Sequence, residues 1–159
     1  MPEIKIIEGK KIENFHQVVD IILPVYKHPE LTEKCLKSLE EFTVNYNVIL
    51  IDNSEDNVGV VKAENIGIKE SQNDYVLILG NDTTFSHDFL TNMFLPIQED
   101  KRVKVVGSLF EHSTNYQTPA HFGFIPDYLK EGGRPFEWEN WRLVPMGDTV
   151  NFSCTLIDK

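Results

Sequence analysis

A chain of 159 residues that is 41% hydrophobic and carries both signs of charge amounts to one domain with enough apolar content for a real core, which excludes a disordered chain. Its formal net charge of -10, with only 15 Lys and Arg spread along the sequence, argues against a nucleic-acid surface, so a phosphate-bearing ligand needs a metal or local helix amides. The 2 cysteines, Cys35 and Cys154, lie far apart inside apolar patterns and fit neither a metal-ligand spacing nor a disulfide framework, so buried thiols in a reducing compartment are expected.

No run approaches the roughly 18 apolar residues of a spanning helix, and MPEIKIIEGKKIENF lacks the basic-then-apolar layout of a signal peptide. A soluble, cytoplasmic protein without a transmembrane segment is the expectation. No internal repeat or low-complexity tract is present in the sequence.

Met1 to Gln17 is mixed, and an edge strand around Ile4 to Ile7 is one reading that the pattern leaves undecided. Val18 to Leu23, VVDIIL, is a β-branched run closed by Pro24, which predicts a central parallel strand ending at a ligand-facing loop, PVYKHP. Pro29 suits a first helical position. Beyond it Leu31, Cys35, Leu39 and Phe42 fall on one face, with Glu33, Lys34, Lys37, Glu40 and Glu41 opposite.

NVILI, Asn47 to Ile51, repeats the strand signature and ends in Asp52, Asn53 and Ser54. Strand, helix and strand at this spacing form a right-handed βαβ unit. A loop and second helix follow over Asn57 to Ser71, where Gly59 and Gly67 permit close approach of backbone to a ligand or to the sheet.

The stretch DYVLILGNDTTFS, Asp74 to Ser86, organises the rest. Tyr75 to Leu79 reads as a buried parallel strand that stops at Gly80 and delivers Asn81, Asp82 and Thr83. The three successive strands thereby set Tyr26, Asp52 and Asp82 on one carboxyl edge, where open α/β sheets bind ligands. Asp82 is the carboxylate such a strand presents directly, and an oxygen ligand there suits a hard divalent cation that also holds phosphates. The plainer alternative is that Asn81 and Asp82 make a turn and cap the next helix.

After the triplet, Ser86 is the predicted N-cap of a helix through Phe89, Met93 and Ile97, with Asp88 favouring its amino end. VKVVG, Val103 to Gly107, reads as another strand. From Ser108 to Gly147 aromatics such as Tyr116, Phe122, Trp138 and Trp141 interleave with Gly and Pro, and they serve either to stack on sugar rings or to pack the segment onto the sheet. His112 and His121 match no compact metal-ligand spacing. Thr149 to Ile157 alternates and reads as a closing strand.

DIILPVYKHPELTEKCLKSL, VILIDNSEDNVGVVKAENIGIKES and DYVLILGNDT, joined in that order, resemble the nucleotide-binding half of a glycosyltransferase of family 2, with the GT-A fold. The resemblance is carried by Val19 to Thr83, and VNFSCTLIDK more faintly resembles the family's acceptor-side strand. It implies an α/β, Rossmann-like, open and mostly parallel sheet with helices on both faces. One GT-A-like domain would span 1–159, with 18–107 binding the nucleotide-sugar and 108–159 forming the acceptor side.

The resemblance also implies roles. Pro24, Val25 and Tyr26 line the base pocket, Asp52 accepts a hydrogen bond from the base, and Asn65 and Gly67 border the nucleotide. Asp82, with Asn81 beside it, is the metal-facing part of a DXD-like element holding Mg2+ or Mn2+ against the diphosphate, and the metal stabilises the leaving group. The sequence departs from the pattern where Gly80 or Asn81 replaces the first Asp of that element and where Glu64 precedes Asn65 in place of a basic residue, although Lys62 is near. The chain stops at Lys159, before the stretch that supplies the family's base, so a base to deprotonate the acceptor hydroxyl has Asp148 as its first candidate, then Glu137, Glu139, His112 and His121.

Two functions follow. The first is metal-assisted, inverting transfer of a sugar from a nucleotide-diphosphate donor to a glycan or other hydroxyl acceptor, inversion being implied by the resemblance alone and a homo-oligomer being compatible. The second is a nucleotide-sugar-binding domain that does not catalyse or that depends on a partner chain. A sugar nucleotidylyltransferase is disfavoured, because PVYKHP is not the Gly-rich, Arg-containing loop that a triphosphate requires.

Overall fold

A computed structural model describes residues 1–13, 17–85, 87–107 and 154–159. In chain order these form β1 (Glu3–Glu8), β2 (Val19–Val25), α1 (Pro29–Phe42), β3 (Tyr46–Asp52), α2 (Val60–Glu70), β4 (Tyr75–Leu79), α3 (Phe89–Glu99), β5 (Val105–Gly107) and β6 (Cys154–Asp158). The strands make one 6-stranded sheet in the order β1-β3-β2-β4-β6-β5. The β2–β3 and β2–β4 pairs are parallel, whereas β1, on β3, and β6, between β4 and β5, run antiparallel to their neighbours. The sheet is therefore mixed, with its parallel part at the centre.

The near-continuous apolar runs of β2, β3 and β4 follow from burial on both faces. On one face Ile21, Leu23, Leu50, Leu77 and Leu79 pack with Cys35 and Leu39 of α1 and with Leu90, Met93, Phe94 and Ile97 of α3. On the other, Ile22, Ile49, Ile51 and Val76 pack with Ala63 of α2. Gly67 makes that second contact close: a Cβ there would collide with Ile22 Cγ2 and lie 2.9 Å from Ile51 Cδ1.

Several predicted bounds shift for physical reasons. β2 runs through Pro24 to Val25. Its odd residues bond toward β3, as Val19 N–H to the Asn45 carbonyl (3.0 Å) and Asn53 N–H to the Val25 carbonyl (2.8 Å) show. Pro24 therefore turns its missing donor toward β4, whose register on β2 ends at Ile22. On α1 the buried stripe is Thr32, Cys35, Ser38 and Leu39, with Leu31 and Phe42 only half-buried, because the helix rests on the sheet along a rotated face. The cap of α3 is Asp88, whose side chain accepts from Thr91 N–H, rather than the predicted Ser86, which lies outside the described residues. Strand β5 occupies only the end of the predicted Val103 to Gly107.

Strand β1 is exposed along its whole length and is held by backbone pairing. A strap behind it locks onto the turn before β3. Asn45, buried and with φ 55°, donates Nδ2 to the Ile12 carbonyl (2.9 Å) and accepts Ile12 N–H on Oδ1 (2.6 Å), while its own N–H reaches the Lys10 carbonyl (2.7 Å).

At the amino end of β2, Asp20 is 3% exposed in the middle of an otherwise apolar run. It accepts from Asn47 Nδ2 (2.9 Å) and Asn73 Nδ2 (2.7 Å) on Oδ1 and from Gln72 N–H (2.9 Å) and Asn73 N–H (3.0 Å) on Oδ2. Burial alone would raise its pKa, but these bonds outweigh burial and hold the carboxyl below its ordinary value. One carboxylate thus ties β2 to β3 and to the turn between α2 and β4.

Candidate functional site

The parallel strands β2, β3 and β4 end on one edge at Val25, Asp52 and Leu79. Val25 lies opposite Asp52 in the β2–β3 register, so the end of the PVY segment and the first carboxylate are neighbours across the sheet. Because β2 lies between β3 and β4, the loop at residues 26–28 stands between the Asp52 loop and the Asp82 loop. The juxtaposition of Tyr26, Asp52 and Asp82 expected from three strand ends is therefore present as strand topology.

Val25 is buried, Pro24 is half-buried and Tyr26 is exposed. The Lys27 ammonium sits 4.9 Å from the Tyr26 ring centroid. Hydrogen bonding to Lys27, the charge of that lysine and a hydrogen bond with the Asn57 side chain hold the phenol below its ordinary value. Lys27 and His28 both adopt left-handed backbone, φ 58° and 52°, an uncommon conformation for residues with side chains. The sharp turn so made starts α1 immediately after the strand, with Pro29 in its first turn.

Asp52 is half-buried, and its Oδ1 accepts Ser54 N–H at 2.9 Å. The Ser54 hydroxyl and N–H, with a smaller contribution from the charge of Lys5, keep its carboxyl below the ordinary value, so at neutral pH it is an anionic acceptor. Asn53 beside it is 2% exposed, and its side-chain oxygen finds no hydrogen-bond partner among the described residues. Gly59, the N-cap of α2, has φ 84° and open space around it, a backbone need that glycine meets without strain.

On α2, Asn65 is exposed and donates Nδ2 back to the Val61 carbonyl at 2.7 Å. Gly67 faces Ile22 and Ile51, so its close approach is to the sheet. Gly67 is thus accounted for by its packing on β2 and β3, next to the Ile51 side chain that precedes Asp52. Glu64, where a basic residue was expected, is half-buried, and burial raises its carboxyl pKa.

The triplet forms a turn, with Thr83 N–H on the Gly80 carbonyl at 3.1 Å. Asn81 donates Nδ2 to the Thr32 hydroxyl in the first turn of α1 (3.0 Å), which pins the loop, and Asp82 remains exposed. The turn half of the plainer reading therefore holds, while capping belongs to Asp88. Among the described residues no group of 3 or more His, Cys, Asp or Glu could hold a metal. Cys35 and Cys154 are both buried and are not joined in a disulfide; burial first, then Cys154 and Asp82 nearby, pushes the Cys35 thiol up to about 12. Asp148, Glu137, Glu139, His112, His121 and the aromatics of Ser108 to Gly147 lie outside the described residues.

A family model described as glycosyl transferase family 2 matches residues 53–143, more than half of the chain. The chain belongs to that family. The family-2 match begins directly after β3 and takes in α2, β4, the Asn-Asp-Thr turn and α3, so Asp82 lies inside it, Asp52 lies immediately ahead of it and Tyr26 lies further upstream, before α1. Comparison with curated proteins gives no match. Membership of family 2 points to glycosyltransferase activity in general kind, with a nucleotide-sugar donor and an acceptor implied. No described helix is long and apolar enough to cross a membrane.

What sequence reasoning passed over at this edge is Lys27. Its signal was legible: in the loops at residues 26–28, 53–59 and 80–88 it is the sole Lys or Arg.

Proposed function

We propose that the chain transfers a sugar from a nucleoside-diphosphate donor to a hydroxyl acceptor, with inversion at the anomeric carbon. The observation that carries this is the shared edge: Val25 opposite Asp52 in register, and Asp82 on the strand flanking β2 on its other side. In this reading 18–107 binds the donor and 108–159 serves the acceptor. Pro24, Val25 and the Tyr26 ring flank the base, and anionic Asp52 accepts a hydrogen bond from a base N–H. Asn65, exposed on α2, is a less direct border to the nucleotide, and Gly67 acts by seating that helix against the sheet.

Asp82 offers one hard oxygen donor, which suits Mg2+ or Mn2+ provided that phosphate and water complete the coordination, since the Asn81 amide is already committed to Thr32. The chemistry such an ion supplies is charge stabilisation of the departing nucleoside diphosphate. The acceptor hydroxyl must lose a proton as it attacks, and Asp148 is the first residue to test as its base. The commitment of Asn81 to Thr32 favours a second reading, a domain that binds the nucleotide-sugar without catalysing or with a partner's help.

Calorimetric titration with UDP, GDP and dTDP, each with and without Mn2+, on the wild type and on Asp52→Ala and Asp82→Ala, tests the donor site. One nucleotide should bind, with metal strengthening it in the wild type and not in Asp82→Ala. Binding by none of the three would overturn the donor assignment. Binding without transfer to any acceptor in a screen would favour the second reading.

A further inference from the structure

The anionic character of this edge poses an electrostatic problem. Asp52 and Asp82 flank it, Glu55 lies in the loop after β3 beside Asp56, which is paired with the amino terminus at 2.7 Å, and a nucleoside diphosphate brings further negative charge to the same place. Lys27 is the sole Lys or Arg in the three loops, and it follows the strand that lies between the two carboxylates. Among the described residues it makes no ion pair with a carboxylate. Its ammonium instead rests against the exposed Tyr26 ring, a contact worth on the order of 1 kcal/mol at an exposed site. Its backbone is held in place by the left-handed turn and by Lys27 N–H on the Ser54 hydroxyl at 3.4 Å.

Building on the donor-site reading, we infer that Lys27 binds the diphosphate of the nucleotide and in doing so leaves the Tyr26 ring free for the base. Neighbouring strands are about 4.8 Å apart, so the loops after β3 and β4 stand roughly 10 Å from each other with the 26–28 loop midway. A nucleotide whose base is at Asp52 and whose metal-facing phosphate is at Asp82 has to lay its diphosphate across that loop. An ammonium is a strong phosphate partner and can rotate to it on a flexible stem while the backbone stays fixed. Phosphate outcompetes the tyrosine because it offers full negative charge and several hydrogen-bond acceptors where Tyr26 offers a ring quadrupole and one phenol oxygen. One side-chain rotation then serves both halves of the ligand.

The test is titration of the full chain and of Lys27→Gln and Lys27→Arg with UDP, GDP and dTDP and with the matching nucleosides, in Mn2+, with near-UV circular dichroism to check the fold. Lys27→Gln should bind the preferred diphosphate roughly tenfold more weakly, a size suited to one solvent-screened charged contact, and the nucleoside within about twofold of wild type. Lys27→Arg should restore most of the loss. Unchanged diphosphate binding in Lys27→Gln overturns the inference while leaving the donor site standing. Equal loss of nucleoside and diphosphate also overturns it, since that marks Lys27 as a support for Tyr26. Failure of the wild type to bind any diphosphate overturns the donor-site reading, and this inference with it.

Discussion

Replacing Asp20 by Asn keeps size and shape and removes one charge, yet it should cost much of the stability of this chain. Each carboxylate oxygen accepts from two donors, Oδ1 from the Asn47 and Asn73 amides and Oδ2 from the Gln72 and Asn73 N–H groups. Whichever way the introduced amide is turned, its NH2 faces two donors, so two bonds are lost and replaced by donor–donor opposition. Hydrogen bonds to a charged group contribute about 1.5–3 kcal/mol each, and relief from burying a charge offsets part of the loss, leaving a net destabilisation of about 2–4 kcal/mol. Against a total of roughly 5–15 kcal/mol for a domain, this is easily measured by urea unfolding followed by circular dichroism.

The pH dependence has a definite sign. The folded pKa of Asp20 is depressed, so its contribution is complete above the unfolded value of about 3.9 and is lost as pH falls through the lower folded value. The gap between wild type and Asp20→Asn should therefore be full at pH 7 and shrink below about pH 4. A variant within about 0.5 kcal/mol of wild type at pH 7, or a gap that persists undiminished at pH 2, would refute the reasoning.

Gly67→Ala should destabilise by about 1–3 kcal/mol, because the new methyl overlaps Ile22 and Ile51; equal urea midpoints would show that α2 can move away without cost. Cys35 should resist thiol reagents at pH 8 in the folded protein and react in urea, since burial pushes its pKa up to about 12; fast labelling of the folded chain at that position would contradict its burial.

What was legible in the sequence was governed by burial on both faces. The run Tyr75 to Leu79 gives β4 its bounds directly, and the carboxylates just past two such runs could be assigned to one edge from strand order alone. Strand β1 was not decidable, because none of its residues is buried and its place rests on pairing with β3 and on the Asn45 clasp, neither of which leaves a periodic trace. Asp20 was overlooked for a related reason: its partners Asn47, Gln72 and Asn73 are remote in sequence, so its charge looked like an accident within VVDIIL. The rotation of the buried stripe on α1 toward Thr32 and Ser38 depends on the angle at which the helix meets the sheet, which periodicity does not contain. At the site, strand ends fixed where Tyr26 would stand, while the resting place of the Lys27 ammonium followed from side-chain geometry and not from spacing.

The place of β6 in the sheet bears on the order in which the molecule assembles. β2, α1, β3, α2 and β4 follow one another in sequence; β3 pairs with β2 across α1, and β4 returns to the other side of β2 with β3 and α2 between them in the chain. β6 comes from the far end of the chain, pairing Tyr75 with Asp158, and β5 has β6 as its strand neighbour at the outer edge. Closing so long a loop is entropically expensive and slow, so the outer strands should become protected late. In pulsed hydrogen exchange during refolding, amides of β2 and β3 should gain protection before those of β5 and β6; simultaneous protection would indicate a single concerted step. The carboxyl edge that carries Asp52 and Asp82 would on this account be laid down first, and Cys154 and Leu156 would then seal the larger core behind it.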